Sequence, residues 1–212
     1  MKFWFRIRHA ILIVVSGILC MTLFSCSSLI SLSYEDGVLI DNKNNVSYTY
    51  ASISFEPVSI GEKYAEYKKA NLVLYTIPGL SPTEWLTEDY DGIGLVFYST
   101  DITLPTLAEF EPVKVLVSVT ADVSIPLAEI TDAEVISAIV DRLQNGEKAI
   151  MPATHEYSYT LKFVSEKYPS IYYTVRYLDC GDNRLYLFDQ GEKKSVYADG
   201  LLEDYFQDDA LE

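Results

Sequence analysis

Three successive runs in the second half of the chain, YSYTLKFV (157–164), IYYTVRYLD (171–179) and RLYLFD (184–189), alternate apolar and polar positions with a period of two. That period is the pattern of a strand with one buried and one wet face. The connections EKYPS and CGDN are short, so the three runs are expected as an antiparallel meander. Just before them, Val135, Ile136, Ile139, Val140 and Leu143 recur at helical spacing. Thr131 is expected to cap this helix, Glu134 to complete a capping box, Ile130 to staple onto Val135, and Gly146 to mark the exit. A helix over about 132–145 laid on the 157–189 meander, its stripe against Tyr157, Tyr159, Leu161 and Phe163 or the opposite face, is an α+β arrangement.

The first half is less regular. VLI (38–40), the polar turn DNKNN and VSYTYASISF (46–55) form an expected hairpin, and NLVLY (71–75) and LVFYS (95–99) are further strands. Ser81, Pro82 and Glu84 have the spacing of a cap, a first helical position and a capping box, with Leu80 placed to pack on Trp85. A short helix is therefore expected there, followed by an acidic turn in TEDYDGIG (87–94). TLPTLAEF (103–110) is read as a helical turn and VKVLVSVT (113–120) as a strand with Val113, Val115, Val117 and Val119 on one face. VSIPL (123–127) carries Pro126 and suits an edge or a strand end.

At the N-terminus, Lys2, Arg6 and Arg8 precede the apolar residues 10–24, the layout of a signal peptide. Leu23, Phe24, Ser25 and Cys26 resemble a bacterial lipobox, in which the cysteine thiol takes a diacylglyceryl group and becomes the new N-terminus. The resemblance implies lipidation at Cys26. A thiolate has the nucleophilicity that thioether formation needs. Cys20 is the competing candidate, but Leu19 puts a bulky residue at its cleavage position. An uncleaved helix needs roughly 20 apolar residues and reaches that only through Ser25–Ser28; that anchor and ordinary secretion are the alternatives. The expected organisation is a signal peptide over 1–25, a tether over 26–37, one extracytoplasmic domain over 38–200 (with 38–120 and 121–200 as alternative halves) and an acidic tail over 201–212.

Processing at Cys26 leaves 187 residues with 13 basic against 31 acidic side chains, a net charge of −18. Nucleic acid and anionic lipid are repelled by such a chain, so no nucleic-acid partner is expected. Cys180 is the one cysteine beyond Cys26, which excludes an internal disulfide in the mature chain. It lies in the expected turn DCGDN and is read as semi-exposed and unreactive. All 17 tyrosines fall in the mature part and are read as strand residues bordering a wet face.

Segments such as ISFEPVSIGEKYAEY, YTIPGLSPTEWLTEDYDG, EITDAEVISAIVDRLQNGE and LKFVSEKYPSIYYTVRYLD are similar to those of small uncharacterised lipoproteins of Gram-positive bacteria, over about 36–200. The resemblance implies a surface address and no assigned activity.

Catalytic signals are sparse. His155 is the one histidine of the mature chain, with no nucleophile-elbow pattern to accompany it. DNKNN and DYDG lack the spacing of a calcium loop, and no cluster of zinc ligands or phosphate-binding glycine loop occurs. No catalytic, metal or cofactor-binding residue is assigned. The expected function is a binding or assembly module, held at the extracytoplasmic face of the cell membrane by its lipid, that presents a tyrosine-rich sheet face to an envelope glycan or protein. The alternatives are a hydrolase working through carboxylates, with Glu84 and Glu88 one helical turn apart as an example, and an accessory subunit of an envelope complex.

Overall fold

A computed structural model of the chain describes residues 29–89, 94–119 and 125–205. The expected signal peptide, Cys26, the DYDG turn from Tyr90 on and the end of the expected acidic tail lie outside these residues. Among the described residues 46 % are in strands and 11 % in helices, so the α+β expectation resolves into a mostly β molecule with one main helix.

The first sheet contains β1 (Ile30–Ser31), β2 (Ser33–Glu35), β3 (Val38–Asp41), β4 (Val46–Tyr50), β6 (Lys63–Tyr67), β7 (Leu72–Thr76), β8 (Trp85–Glu88) and β9 (Val96–Ser99). Their order is β1-β6-β7-β8-β9-β4-β3-β2. β1 and β2 stand at opposite ends of that order but are separated in sequence by Leu32 alone, so the sheet curls round until its ends meet in a nearly closed barrel. The Leu32 N–H continues the ladder to the Glu66 carbonyl at 2.8 Å. Leu32, Leu39, Tyr48, Leu74, Leu86 and Phe97 fill the interior. Residues 30–35 are thus strand, which corrects the expected tether over 26–37. The missed signal is Asp36-Gly37, both at positive φ, which makes the two-residue hairpin turn between β2 and β3.

The second sheet runs β11-β10-β12-β13-β14-β15, built from β10 (Pro112–Val119), β11 (Ile125–Ile130), β12 (Tyr157–Ser165), β13 (Ile171–Asp179), β14 (Leu185–Asp189) and β15 (Lys194–Tyr197). The meander is present as expected, and β11 with its Pro126 is the edge strand. β5 (Phe55–Pro57) pairs with the first half of β13. The expected strand over 46–55 is therefore two strands in two sheets. β4 ends at Tyr50, and a turn closed by the Phe55 N–H on the Ser52 carbonyl redirects the chain.

Helix α1 (Ala133–Asn145) lies on the second sheet with Ile136, Ile139 and Leu143 buried among Val117, Leu161, Phe163, Val175 and Leu187. Its cap is Asp132, whose side chain accepts from the Glu134 N–H at 2.8 Å. This corrects Thr131, because a carboxylate one residue nearer reaches the free N–H directly. The helix expected after Ser81 is a single turn, in which the Ser81 carbonyl accepts from the N–H groups of Glu84 and Trp85 at 3.0 and 2.9 Å. The chain then enters β8, paired on both sides by β7 and β9.

One core cluster spans both sheets, joining Ala51, Phe55, Ile77, Trp85 and Val96 to Phe110, Ile171 and Tyr173. Polar groups pin the same junction. Asp189, 4 % exposed, accepts from Tyr173 Oη at 2.5 Å, Ser54 Oγ at 2.9 Å and the Glu192 N–H at 3.1 Å. Gly191 passes so close that a Cβ there would meet Ser52 Oγ at 2.5 Å and Ser54 Oγ at 2.7 Å. The first sheet uses residues 30–99 and the second 112–197 plus β5, so the sheets do not divide at 120. Leu202, at the start of the expected tail, is fully buried.

Candidate binding surface on the second sheet

Alternation along β12 and β13 sends odd-numbered residues from 159 to 163 and 171 to 177 toward the helix and core, and even-numbered ones to the other face. That outer face is a grid fixed by the strand register. Lys114, Val164, Tyr172 and Glu56 form one row; Leu116, Lys162 and Thr174 form the next. Ser118, Thr160, Arg176 and Phe188 make the third. Apart from Ser118, which is buried, the residues of these rows are half-buried.

Charge is arranged along the grid. Lys162 Nζ lies 2.6 Å from Glu56 Oε1 and 5.5 Å from the centre of the Tyr172 ring, and Lys114 pairs with Glu129 at 3.0 Å. Arg176 has no carboxylate among the described residues within salt-bridge distance. Its guanidinium is pushed below its ordinary pKa by desolvation. Burial raises the Tyr172 phenol, and the charge of Glu56 adds to it. Near the β12–β13 turn the face opens into a groove of about 460 Å³ lined by Val58, Lys114, Leu116, Glu129, Val164 and Tyr172 among others. Three cations thus gather on one face of a chain whose net charge is −15. With apolar stems between them and an aromatic ring beside Lys162, the face can hold a flat polar ligand, and Arg176 can pair with an acidic group.

The tyrosine-rich wet face is corrected. Tyr173 and Tyr177 are buried on the inner side, and Tyr172 is the tyrosine in the three rows. Tyr173 goes inward because its hydroxyl finds Asp189, and Tyr48 does the same in the barrel by donating to the Pro82 carbonyl at 2.8 Å. Sequence reasoning missed Lys114, Lys162 and Arg176, although their even-numbered places opposite inward apolar residues carried the signal.

The residues weighed for chemistry are dispersed. His155 is exposed in the loop before β12. Cys180 is buried rather than semi-exposed, and burial raises its thiol pKa. Glu84 and Glu88 flank and end β8, about 13 Å apart along an extended chain rather than one helical turn. In the DNKNN turn the Asp41 carboxylate accepts from the N–H groups of Lys43 and Asn44 and from Asn44 Nδ2, at 2.7 to 3.0 Å. Among the described residues no three of His, Cys, Asp or Glu are gathered to hold a metal ion, and no helix is long and apolar enough to cross a membrane. The chain matches no family model, no curated protein and no solved structure.

Proposed function

We propose that this protein is a lipoprotein held on the extracytoplasmic face of the cell membrane by a diacylglyceryl group on Cys26, and that its domain is a binding module working through the outer face of the second sheet. The observation that carries the anchor is Leu23-Phe24-Ser25-Cys26 at the end of a basic-then-apolar leader. Two acyl chains on one cysteine give a stable anchor where one gives a marginal one. Mass spectrometry of detergent-extracted protein tests it. The expected N-terminal peptide begins at Cys26 with the added lipid mass. Cys26→Ala loses that mass and Cys20→Ala keeps it. A peptide retaining residues 10–24 without lipid overturns the proposal in favour of an uncleaved helix.

Support for binding comes from the open groove and the cation-lined grid. The scattered His155, Cys180, Glu84 and Glu88 favour binding over hydrolysis. An envelope glycan or protein bearing an acidic group fits this face. Calorimetric titration with soluble cell-wall fragments should show saturable binding that Arg176→Glu weakens at least about tenfold, the scale of a lost charge-assisted contact. Turnover of those fragments by the purified domain would overturn the binding reading.

A further inference from the structure

The barrel is closed by the first described strand, and this shortens the reach of the anchor. Were residues 26–37 a tether, twelve residues would allow the domain to float up to about 40 Å from its lipid. Strand pairing begins at Ile30, so three residues separate the ladder from Cys26, a span of at most about 14 Å. Given the lipidation proposed above, on which this inference rests, we propose that one end of the barrel lies against the bilayer and that the domain has a fixed orientation on the membrane.

The strand directions identify that end. β1, β4, β6 and β8 begin there, while β3, β7 and β9 finish there. The connections that form it are 42–45, 58–62, 77–84 and 100–101, with Lys63 opening β6 beside them. They are tied to one another and to the closing strand. Asn42 Nδ2 donates to Ser33 Oγ at 3.2 Å, Asn44 Nδ2 to Tyr64 Oη at 3.0 Å, and Tyr48 Oη to the Pro82 carbonyl at 2.8 Å. The rim is therefore a braced surface, with Lys43, Ile60, Lys63 and Thr83 exposed on it. The opposite end carries the Asp36-Gly37 hairpin and the Lys68–Ala70 turn.

The groove follows the same geometry. β5 descends toward the rim, so the start of β13 and the turn before it lie at that end, where the Val58 N–H donates to the Ser170 carbonyl at 2.9 Å and Pro169 packs on Gly79. The groove opens on the membrane-proximal flank. It is placed to engage a partner within the first layer above the lipid.

The test uses the full lipidated chain reconstituted in vesicles of phosphatidylglycerol and phosphatidylethanolamine that contain a headgroup-nitroxide lipid. A fluorophore is placed on Lys43→Cys or Thr83→Cys at the rim, and on Glu35→Cys or Lys69→Cys at the far end, with unsubstituted protein as the labelling control. Rim labels should be quenched severalfold more than far-end labels. A flexible Gly-Ser spacer of about 12 residues inserted after Ser28 should erase the difference while the lipid mass on Cys26 remains. Equal quenching at both ends of a chain carrying the lipid overturns the orientation alone, as does a rim bias that survives the spacer. An N-terminal peptide without lipid overturns both the anchor and the orientation.

Discussion

Tyr173 sits between two neighbouring even-numbered residues of β13, yet it is 2 % exposed while Tyr172 faces outward. Its burial depends on one partner, the Asp189 carboxylate, which also accepts from Ser54. A hydrogen bond to a charged group is worth about 1.5–3 kcal/mol net. Tyr173→Phe should lower stability by about that amount in urea unfolding, and Asp189→Ala by more, since it removes the acceptor of three donors, Tyr173, Ser54 and the Glu192 N–H. A response to alkali follows from the same residues. Burial raises the phenol pKa of Tyr48, Tyr173 and Tyr177 above the usual 10. An acid whose folded pKa is raised holds its proton longer in the folded chain, so its contribution is intact below about pH 10 and is lost as pH climbs through the folded value. Unfolding followed by circular dichroism should set in above about pH 10, with a part of the tyrosinate absorbance appearing in step with it. If all phenols titrate before the dichroism changes, these tyrosines are not buried in solution.

Single elements show what local pattern can and cannot carry. Helix α1 was legible because its stripe meets only one partner, the second sheet, leaving its other side polar. Its cap is Asp132, one residue after the Thr131 that the pattern suggests. Asp132→Ala should cost about 1 kcal/mol in thermal unfolding, and Thr131→Ala close to nothing, since the Asp132 carboxylate is the group on the helix N–H. Ile139→Ala should cost about 2–5 kcal/mol, as Ile139 is fully buried in the stripe. β8 was missed for the opposite reason. Trp85 faces the core between the sheets and Leu86 the barrel interior. A strand buried on both sides shows no alternation. Its opening Ser-Pro-x-Glu fits one turn as well as it fits a helix. β6 fails differently: in KYAEY only Ala65 is buried, too little contrast for a period.

At the scale of the whole molecule, residues 30–35 decide whether the first sheet has edges. They pair with β6 on one side and β3 on the other, and bring Leu32 into the interior. A chain truncated to begin at residue 37 should lose several kcal/mol, or aggregate through the exposed edges of β6 and β3, relative to one beginning at residue 27. Equal thermal midpoints would return 30–35 to the status of a tether. Cys180, the cysteine among the described residues, is free, which fits this architecture. One cluster filling the barrel interior and a second between the two sheets provide apolar surface enough to stand without a disulfide.

The alternation of 157–189 and the helical stripe of 135–143 were properties of the sequence alone, because each depends on one buried face and on neighbours close along the chain. Closure of the barrel, the sharing of β13 between β5 and β14, the inward turn of Tyr173 and the gathering of Lys114, Lys162 and Arg176 were decided by the tertiary structure. Each needs residues from distant segments in register, Ser54 with Asp189 or Lys162 with Glu56, and no local period records such a pairing.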